Sequence, residues 1–167
     1  VWEFNAADAI DKEDGQSASI ATDGSDEIDW FHNNSLWYDE KNDLVLLSAR
    51  HKDAIIAIHK SDKSLAWILG DPANWNGVDK KYFFTPTGDD FEWQYAQHQI
   101  TMLDNGDIMM FDNGTAKVKL SDNDKRVSGD DIYSRAVVYH INTDDMTIEQ
   151  VFEYGKERGP EWYSDWI

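Results

Sequence analysis

The feature that most constrains this chain is a succession of short apolar runs, each closed by a polar turn. Leu44-Val45-Leu46-Leu47-Ser48 follows Lys41-Asn42-Asp43, and Ala54-Ile55-Ile56-Ala57-Ile58 ends in Lys60-Ser61-Asp62-Lys63. Leu65-Ala66-Trp67-Ile68-Leu69 then stops at Gly70-Asp71-Pro72. Runs of about five residues have the length of strands, and tight connections join antiparallel neighbours. Helical stripes are missing, and only Ala6 to Lys12 has the pattern of a short helix. The expectation is an all-β chain built from antiparallel meanders.

The second half repeats the pattern. Gln99 to Leu103 leads into Asp104-Asn105-Gly106-Asp107, a hairpin signal because Asn-Gly readily takes positive φ. Ile108 to Phe111, Ser134 to Ile141 and Ile148 to Tyr154 supply the next strands. Each half begins with a histidine, His32 or His98, and closes on an aromatic strand ended by Gly70 or Gly155. Four short strands per repeat is the blade of a β-propeller. The organisation predicted is therefore a closing strand of a preceding blade (1–4), a blade (30–70), an aromatic insertion (71–97), a second blade (98–155) and the start of a third (160–167). A propeller ring needs about 4–8 blades, so roughly two complete four-stranded blades imply a partial propeller cut from a larger parent.

Charge excludes several function classes. The chain carries 15 Lys+Arg against 33 Asp+Glu, a net charge of −18. Such a field repels phosphate backbones and anionic lipid surfaces, so neither nucleic acid nor a membrane surface is an expected partner. No apolar stretch is long enough to span a bilayer. With no Cys there is no disulfide scaffold, thiolate metal site or cysteine nucleophile. The 8 Trp, 7 Tyr and 7 Phe argue for a packed core despite the charge. None of the acidic clusters has the spacing of a calcium loop, so no metal and no cofactor is expected.

The candidate chemistry lies in histidines and cations. His32 and His98 occupy equivalent strand starts, which in a propeller converge on the central channel; the alternative is a hydrogen-bonded packing role for each. His59 and His140 precede polar turns and read as surface residues. Arg50, followed by His51, and Arg135 in Tyr133-Ser134-Arg135 are each read two ways: as an anion-binding fork, or as a structural salt bridge. The segment from Asp71 to Gln97 is long and aromatic, with Trp75, Phe83, Phe84, Trp93 and Tyr95 among its rings, and a loop of that length in a compact domain is more often functional than not. The stretch from Lys117 to Tyr133 reads as an exposed polar loop.

Specific segments resemble the bacterial arylsulfate sulfotransferases, the family that works without the nucleotide donor PAPS. Asp29-Trp30-Phe31-His32-Asn33-Asn34-Ser35 resembles the family's Asp/Asn-Trp-x-His-x-Asn-Ser segment. Ser48-Ala49-Arg50-His51, Trp67-Ile68-Leu69, Tyr95-Ala96-Gln97-His98, Phe111-Asp112-Asn113-Gly114, Tyr133-Ser134-Arg135 and Glu153-Tyr154-Gly155-Lys156-Glu157-Arg158-Gly159 follow in the family's order. The resemblance implies a six-bladed propeller that moves a sulfuryl group from a phenolic sulfate ester to a phenol acceptor, ping-pong, through a sulfated histidine. By that likeness His32 and His98 are catalytic. Lys117 stands at the catalytic arginine position, keeping the charge but losing the planar fork, a role that Arg50 or Arg135 is placed to take over. Asn34, Arg50, His51, Arg135, Trp93 and Tyr95 are the implied substrate-binding residues, and the aromatic insertion between Trp75 and Tyr95 is the implied rim that stacks on aryl rings. The sulfated histidine itself is expected beyond Ile167, and the location outside the cytoplasm. Homo-oligomerisation is left open. The competing reading is a propeller without catalysis, serving as a binding or adhesion platform.

Overall fold

A computed structural model describes residues 1–15, 29–115 and 132–164. Lys117 and most of the acidic stretch after Thr115 lie outside these residues. Two sheets account for the architecture. The first is a meander of β1 (Asn33–Asp39), β2 (Leu44–Ala49), β3 (Ala54–His59) and β4 (Leu65–Leu69), paired in chain order and antiparallel throughout. The second sheet has the order β5-β9-β8-β7-β6, with β5 (Thr85–Thr87), β6 (His98–Met102), β7 (Ile108–Asp112), β8 (Arg135–Asn142) and β9 (Thr147–Tyr154).

The second sheet departs from the expectation of four antiparallel strands. Strands β6 to β9 form the expected meander, but β5 adds a fifth strand parallel to β9. The 71–97 segment is therefore not a free insertion. Its Thr85 to Thr87 run satisfies the outer edge of β9, where Thr85 N donates to the carbonyl of Met146 at 2.8 Å. Covering an edge in this way removes unpaired backbone groups.

The unbroken apolar runs of β2 and β3 have a simple cause. Their side chains alternate between two cores. Leu44, Leu46, Ile55 and Ala57 point into a core shared with Ile100, Ile108, Met110, Val137, Tyr139 and Ile148 of the second sheet. Val45, Leu47, Ile56 and Ile58 point the other way, to Ile10, Trp75 and Phe83. A strand covered on both faces has no polar side to show. β7 instead alternates, with Ile108 and Met110 buried and Met109 exposed, because one face of the second sheet meets water.

The aromatic insertion supplies core, not rim. Trp75, Phe83 and Phe84 are buried, with Trp75 edge-on to Phe83 at 5.4 Å and Phe84 edge-on to Trp67 at 5.5 Å. Each aromatic buries a large apolar area, so these rings stabilise more as core than as a solvent-facing platform. The chain start also differs from expectation. Residues 1–4 form no strand; Trp2 stacks on Phe4 at 6.0 Å and donates to the Lys60 carbonyl at 2.8 Å. Ala6–Asp8 is a single 3-10 turn capped by Asn5. Lys156–Trp162 is a 3-10 stretch kinked at Gly159, where the start of a third blade is expected. Tyr133 is buried, its hydroxyl donating to Glu92; the rest of the polar stretch expected as a loop, Lys117 to Asp131, lies outside the described residues.

The Asn-Gly hairpin holds. Gly106 sits at φ 90° and donates to the Leu103 carbonyl at 2.9 Å, a left-handed turn that an L residue would strain. Among the described residues no helix is long and apolar enough to cross a membrane.

Candidate active site

The first strands of the two sheets, β1 and β6, lie beside one another and are stitched by side chains. Ile100 N donates to Ser35 Oγ at 3.0 Å, and Asn34 Nδ2 donates to the Gln97 carbonyl at 2.7 Å. Gln97 is fully buried and its amide donates to the Ala54 carbonyl at 2.9 Å. Ala96 N donates to Asp53 Oδ1 at 2.6 Å. These bonds tie Gln94–Gln97 to the first sheet and so fix where β6 begins, at His98.

Both strands carry a bulge just after their histidine. Register shifts fall between Asn33 and Ser35 in β1 and between His98 and Thr101 in β6. His32 (φ 51°) and Gln99 (φ 52°) both sit in the left-handed region. A non-glycine residue held there is strained and needs specific bonds to stay. At His32 the bond comes from Asp29, whose Oδ1 accepts from His32 N at 3.0 Å.

The imidazoles are fixed by partners of unambiguous polarity. His32 Nδ1 meets Asp29 Oδ2 at 2.6 Å. His51 Nδ1 meets the Asp29 carbonyl, and its Nε2 meets Arg50 Nη1 at 3.0 Å. His98 Nδ1 meets the Ala96 carbonyl at 3.0 Å and Asn113 Oδ1 at 2.6 Å. Carbonyls and carboxylates only accept, and a guanidinium only donates. Each ring therefore carries a proton on Nδ1, and in its neutral form has its lone pair on Nε2. On His51 that lone pair is taken by Arg50. On His32 and His98 no partner at Nε2 is present among the described residues.

The hairpin explains why Arg50 and His51 sit here. Arg50 N and His51 N donate to the carbonyls of His32 and Phe31, at 3.1 and 3.3 Å, extending the β1–β2 ladder past the strand ends. The His51 ring lies 4.7 Å from that of His32, tilted by 42°. Burial pushes the pKa of His51 below its ordinary 6.5, helped by the nearby charges of His32 and Arg50 against the pull of Asp29. Burial likewise lowers His98, and Arg50 and His32 act on it in the same direction. Asp29 is lowered as well: its burial works against ionisation, but the hydrogen bond and charge of His32 and the charge of His51 outweigh it. Asp29, His32, Arg50, His51 and His98 thus form one electrostatic cluster.

Asp29, His32 and His51 also bring ligand-type atoms within 4.8 Å of one another. Carboxylate plus two imidazoles is a set that suits zinc. His51 does not fit that role, because Nδ1 donates its proton to a carbonyl and Nε2 accepts from Arg50, leaving no lone pair for an ion.

Several residues expected at the substrate lie elsewhere. Arg135 is enclosed. Its Nε bonds Asp112 at 2.9 Å, Nη1 bonds Glu153 at 2.7 Å and Gln150 at 3.0 Å, and Nη2 donates to the Glu92 carbonyl at 3.0 Å. With every donor engaged and the side chain fully buried, Arg135 is a structural cation and not a substrate fork. His51 is 5% exposed and backs His32, which corrects its expected contact with substrate. Trp93 packs edge-on to Phe91 at 4.7 Å on the inner side of the second sheet, and its carbonyl faces Arg135. Tyr95 is half-buried beside Asp112, and burial with the surrounding carboxylates pushes its phenol pKa up. Both Trp93 and Tyr95 are partly buried. Asn34 keeps Nδ2 on Gln97 while its Oδ1 is buried without a donor. A cleft of about 410 Å³ lies at the opposite strand ends, lined by Leu44, His59, Trp67, Met102, Ile141 and Met146, and none of the predicted site residues line it.

One residue of the cluster carries more weight than the sequence reading gave it. Asp29 entered only as part of a motif, yet it holds His32 at two atoms. Its position three residues before a histidine in the left-handed region is the local signal that could have found it.

Comparison with known proteins gives concordant results. The family model described as arylsulfotransferase (ASST) matches residues 1–167. An arylsulfate sulfotransferase AssT of Lelliottia amnigena is 32% identical over 154 residues, covering 83% of this chain and 25% of that protein. An arylsulfate sulfotransferase AssT of Escherichia coli O6:H1 is 32% identical over 151 residues, covering 81% of this chain and 24% of that protein. The chain spans about a quarter of the length of these relatives.

Proposed function

The chain belongs to the arylsulfotransferase family, and from that premise we propose that its histidine cluster serves sulfuryl transfer from a phenolic sulfate ester to a phenol acceptor. The observation that carries the reading is the pair of imidazoles, His32 and His98, each with its proton fixed on Nδ1 and its Nε2 unspent, beside the guanidinium of Arg50.

The chemistry of the transfer suits such a set. A sulfuryl group, like a phosphoryl group, moves in line through a transition state whose charge is spread over three oxygens, so catalysis is positioning and electrostatic stabilisation. Arg50 has donors beyond the one on His51 and supplies positive charge in a strongly acidic protein. In the first step the ester S–O bond breaks, the aryl oxygen leaves with its electron pair, and the sulfur bonds to a histidine nitrogen. In the second, the acceptor phenol loses its proton to a general base and its oxygen takes the sulfuryl group. An imidazole with a free Nε2 performs either the nucleophilic or the base role. In this proposal the Nε2 of His32 or His98 takes the proton of the acceptor phenol, Arg50 donates to the sulfuryl oxygens, and the histidine that is sulfated, whose S–N bond breaks in the second step, belongs to another segment of the parent protein. Lys117 takes the place of an arginine, and Lys117→Arg keeps or raises the rate by restoring the fork.

Architecture supports the same reading. Two antiparallel meanders with adjacent first strands and one shared core suit neighbouring blades of a propeller, with the histidines at the channel end of the innermost strands. A location outside the cytoplasm follows from family likeness.

The test is incubation of the full-length parent protein with 4-nitrophenyl sulfate and phenol, following 4-nitrophenolate release and phenyl sulfate formation. Release coupled to phenyl sulfate, with gain of one SO3 on the intact protein when phenol is withheld, supports the proposal. Hydrolysis to free sulfate without transfer, or no release, overturns it.

A further inference from the structure

We infer that Asp29 is a positioning residue that selects the tautomer of His32, and that it does so through a two-point grip whose asymmetry can be inverted by a single amide. The catalytic consequence rests on the sulfuryl-transfer reading; the tautomer itself does not.

The grip has two different contacts. Asp29 Oδ1 accepts from the backbone N–H of His32 at 3.0 Å, and Asp29 Oδ2 accepts from ring Nδ1 at 2.6 Å. The first contact holds a backbone at φ 51°, a conformation that costs about 1–3 kcal/mol and so demands a partner. The second puts the ring proton on Nδ1 and turns Nε2 outward as the reactive lone pair. His51 packs on the ring at 4.7 Å and is itself locked by the Asp29 carbonyl and Arg50, so the His32 ring is walled on one side. The charged and titratable groups facing the pair are His51, Arg50 and His98.

Replacing Asp29 by Asn has a definite polarity. The backbone N–H of His32 is a donor and cannot change, so the Asn carbonyl oxygen must take the Oδ1 position. The amide NH2 then faces ring Nδ1, and it can only donate. His32 must present a lone pair at Nδ1 and carry its proton on Nε2, which is the wrong tautomer for a base or nucleophile at that atom. Asp29→Ala removes both contacts and leaves the ring free to sample both tautomers. The isosteric change should therefore be worse than the truncation, opposite to the order expected if Asp29 served only packing or charge. A comparable inversion in a Ser-His-Asp triad costs about 10⁴ in turnover.

The experiment combines ¹⁵N-detected histidine NMR with kinetics on the full-length parent protein as wild type, Asp29→Asn and Asp29→Ala. With the imidazoles neutral, the wild type should show Nδ1–H on His32, Asp29→Asn should show Nε2–H, and Asp29→Ala a mixture. Turnover of 4-nitrophenyl sulfate should fall at least about 100-fold in Asp29→Asn and about 10-fold in Asp29→Ala, mainly in kcat. Backbone amide spectra away from residues 29–32 and 49–52 should stay as in the wild type. An Nδ1–H tautomer persisting in Asp29→Asn, or Asp29→Asn turning over as fast as Asp29→Ala, overturns the proposal. If either variant fails to fold, the tautomer of the other against the wild type decides it. An inverted tautomer in a protein that transfers no sulfuryl group at all upholds the grip and rejects the transferase reading instead.

Discussion

Arg50 and Arg135 enter the chain in similar surroundings, each after a serine-containing segment at a strand boundary, and the structure puts them to opposite uses. Arg135 is caged by Asp112, Glu153, Glu92 and Gln150, with its side chain fully buried. Burial works to lower its pKa, and the charge and hydrogen bond of the adjacent Asp112 outweigh that and raise it. Arg50 is half-exposed and spends one donor on His51. The difference teaches that a cation is available for substrate only where its donors exceed its structural partners. It also separates two regions. The second sheet carries a closed ionic network at its centre, while the heads of β1 and β6 carry an open cluster of imidazoles.

The largest expected effect tests the closed side. Arg135→Met leaves Asp112 and Glu153 without their cation in a buried setting, a loss of about 3–5 kcal/mol in stability. Urea unfolding of the variant against the wild type measures it; a midpoint within error of the wild type would show that the cage is dispensable.

Next is the open side. His98→Ala should lower sulfuryl turnover by at least about 100-fold, the low end for a positioned acid or base, while the unfolding midpoint moves far less than in Arg135→Met. A variant that loses stability and keeps turnover would reverse the roles assigned to the two regions.

Arg50→Lys sharpens the contrast between the two arginines. The planar fork that reaches both His51 and an anion is lost, and KM for the aryl sulfate should rise about 10-fold with the fold unchanged. An unchanged KM removes Arg50 from the anion site.

The smallest effect is in pH. His51 and His98 have folded pKa values pushed below 6.5, first by burial. Below pH 6.5 the unfolded chain binds protons that the folded chain refuses, so this part of the stability is present above 6.5 and is lost as pH falls through the folded values. Glu92, which burial alone would raise, is pulled below its ordinary 4.5 by Lys156 and Tyr133, so its contribution is lost in a lower window, as pH falls below 4.5. Stability against pH should show two acid limbs. The upper one should flatten in His51→Gln/His98→Gln and the lower one should remain; a single limb unaffected by the double variant would detach the histidines from the acid response.

Much of the strand pattern was legible in sequence because it depends on neighbours in the chain. The run from Leu44 to Ala49 alternates cores at period two, and Asn105-Gly106 makes its turn through local φ alone. The fifth strand was not legible, since Thr85-Pro86-Thr87 has no strand signature and pairs only because the β9 edge lies beside it. The aromatic segment misled for a related reason. Trp75 and Phe83 look like a surface platform until Ile10 and the outer face of β2 and β3 are brought against them.

By itself, the sequence determined the all-β character, the two meanders, the histidines at their heads and the family. These follow from periodicity and from short motifs, which act through adjacent residues. Only the tertiary structure decided which of the chemically equivalent side chains are enclosed and which stay open. Arg135 was enclosed by Glu92, and Gln97 was bonded to Ala54, across 43 residues in each case. Asp29 shaped His51 across 22. A side chain's solvent access and the polarity of its partners are set by such distant contacts, and those two quantities separate a buried brace from a reactive group.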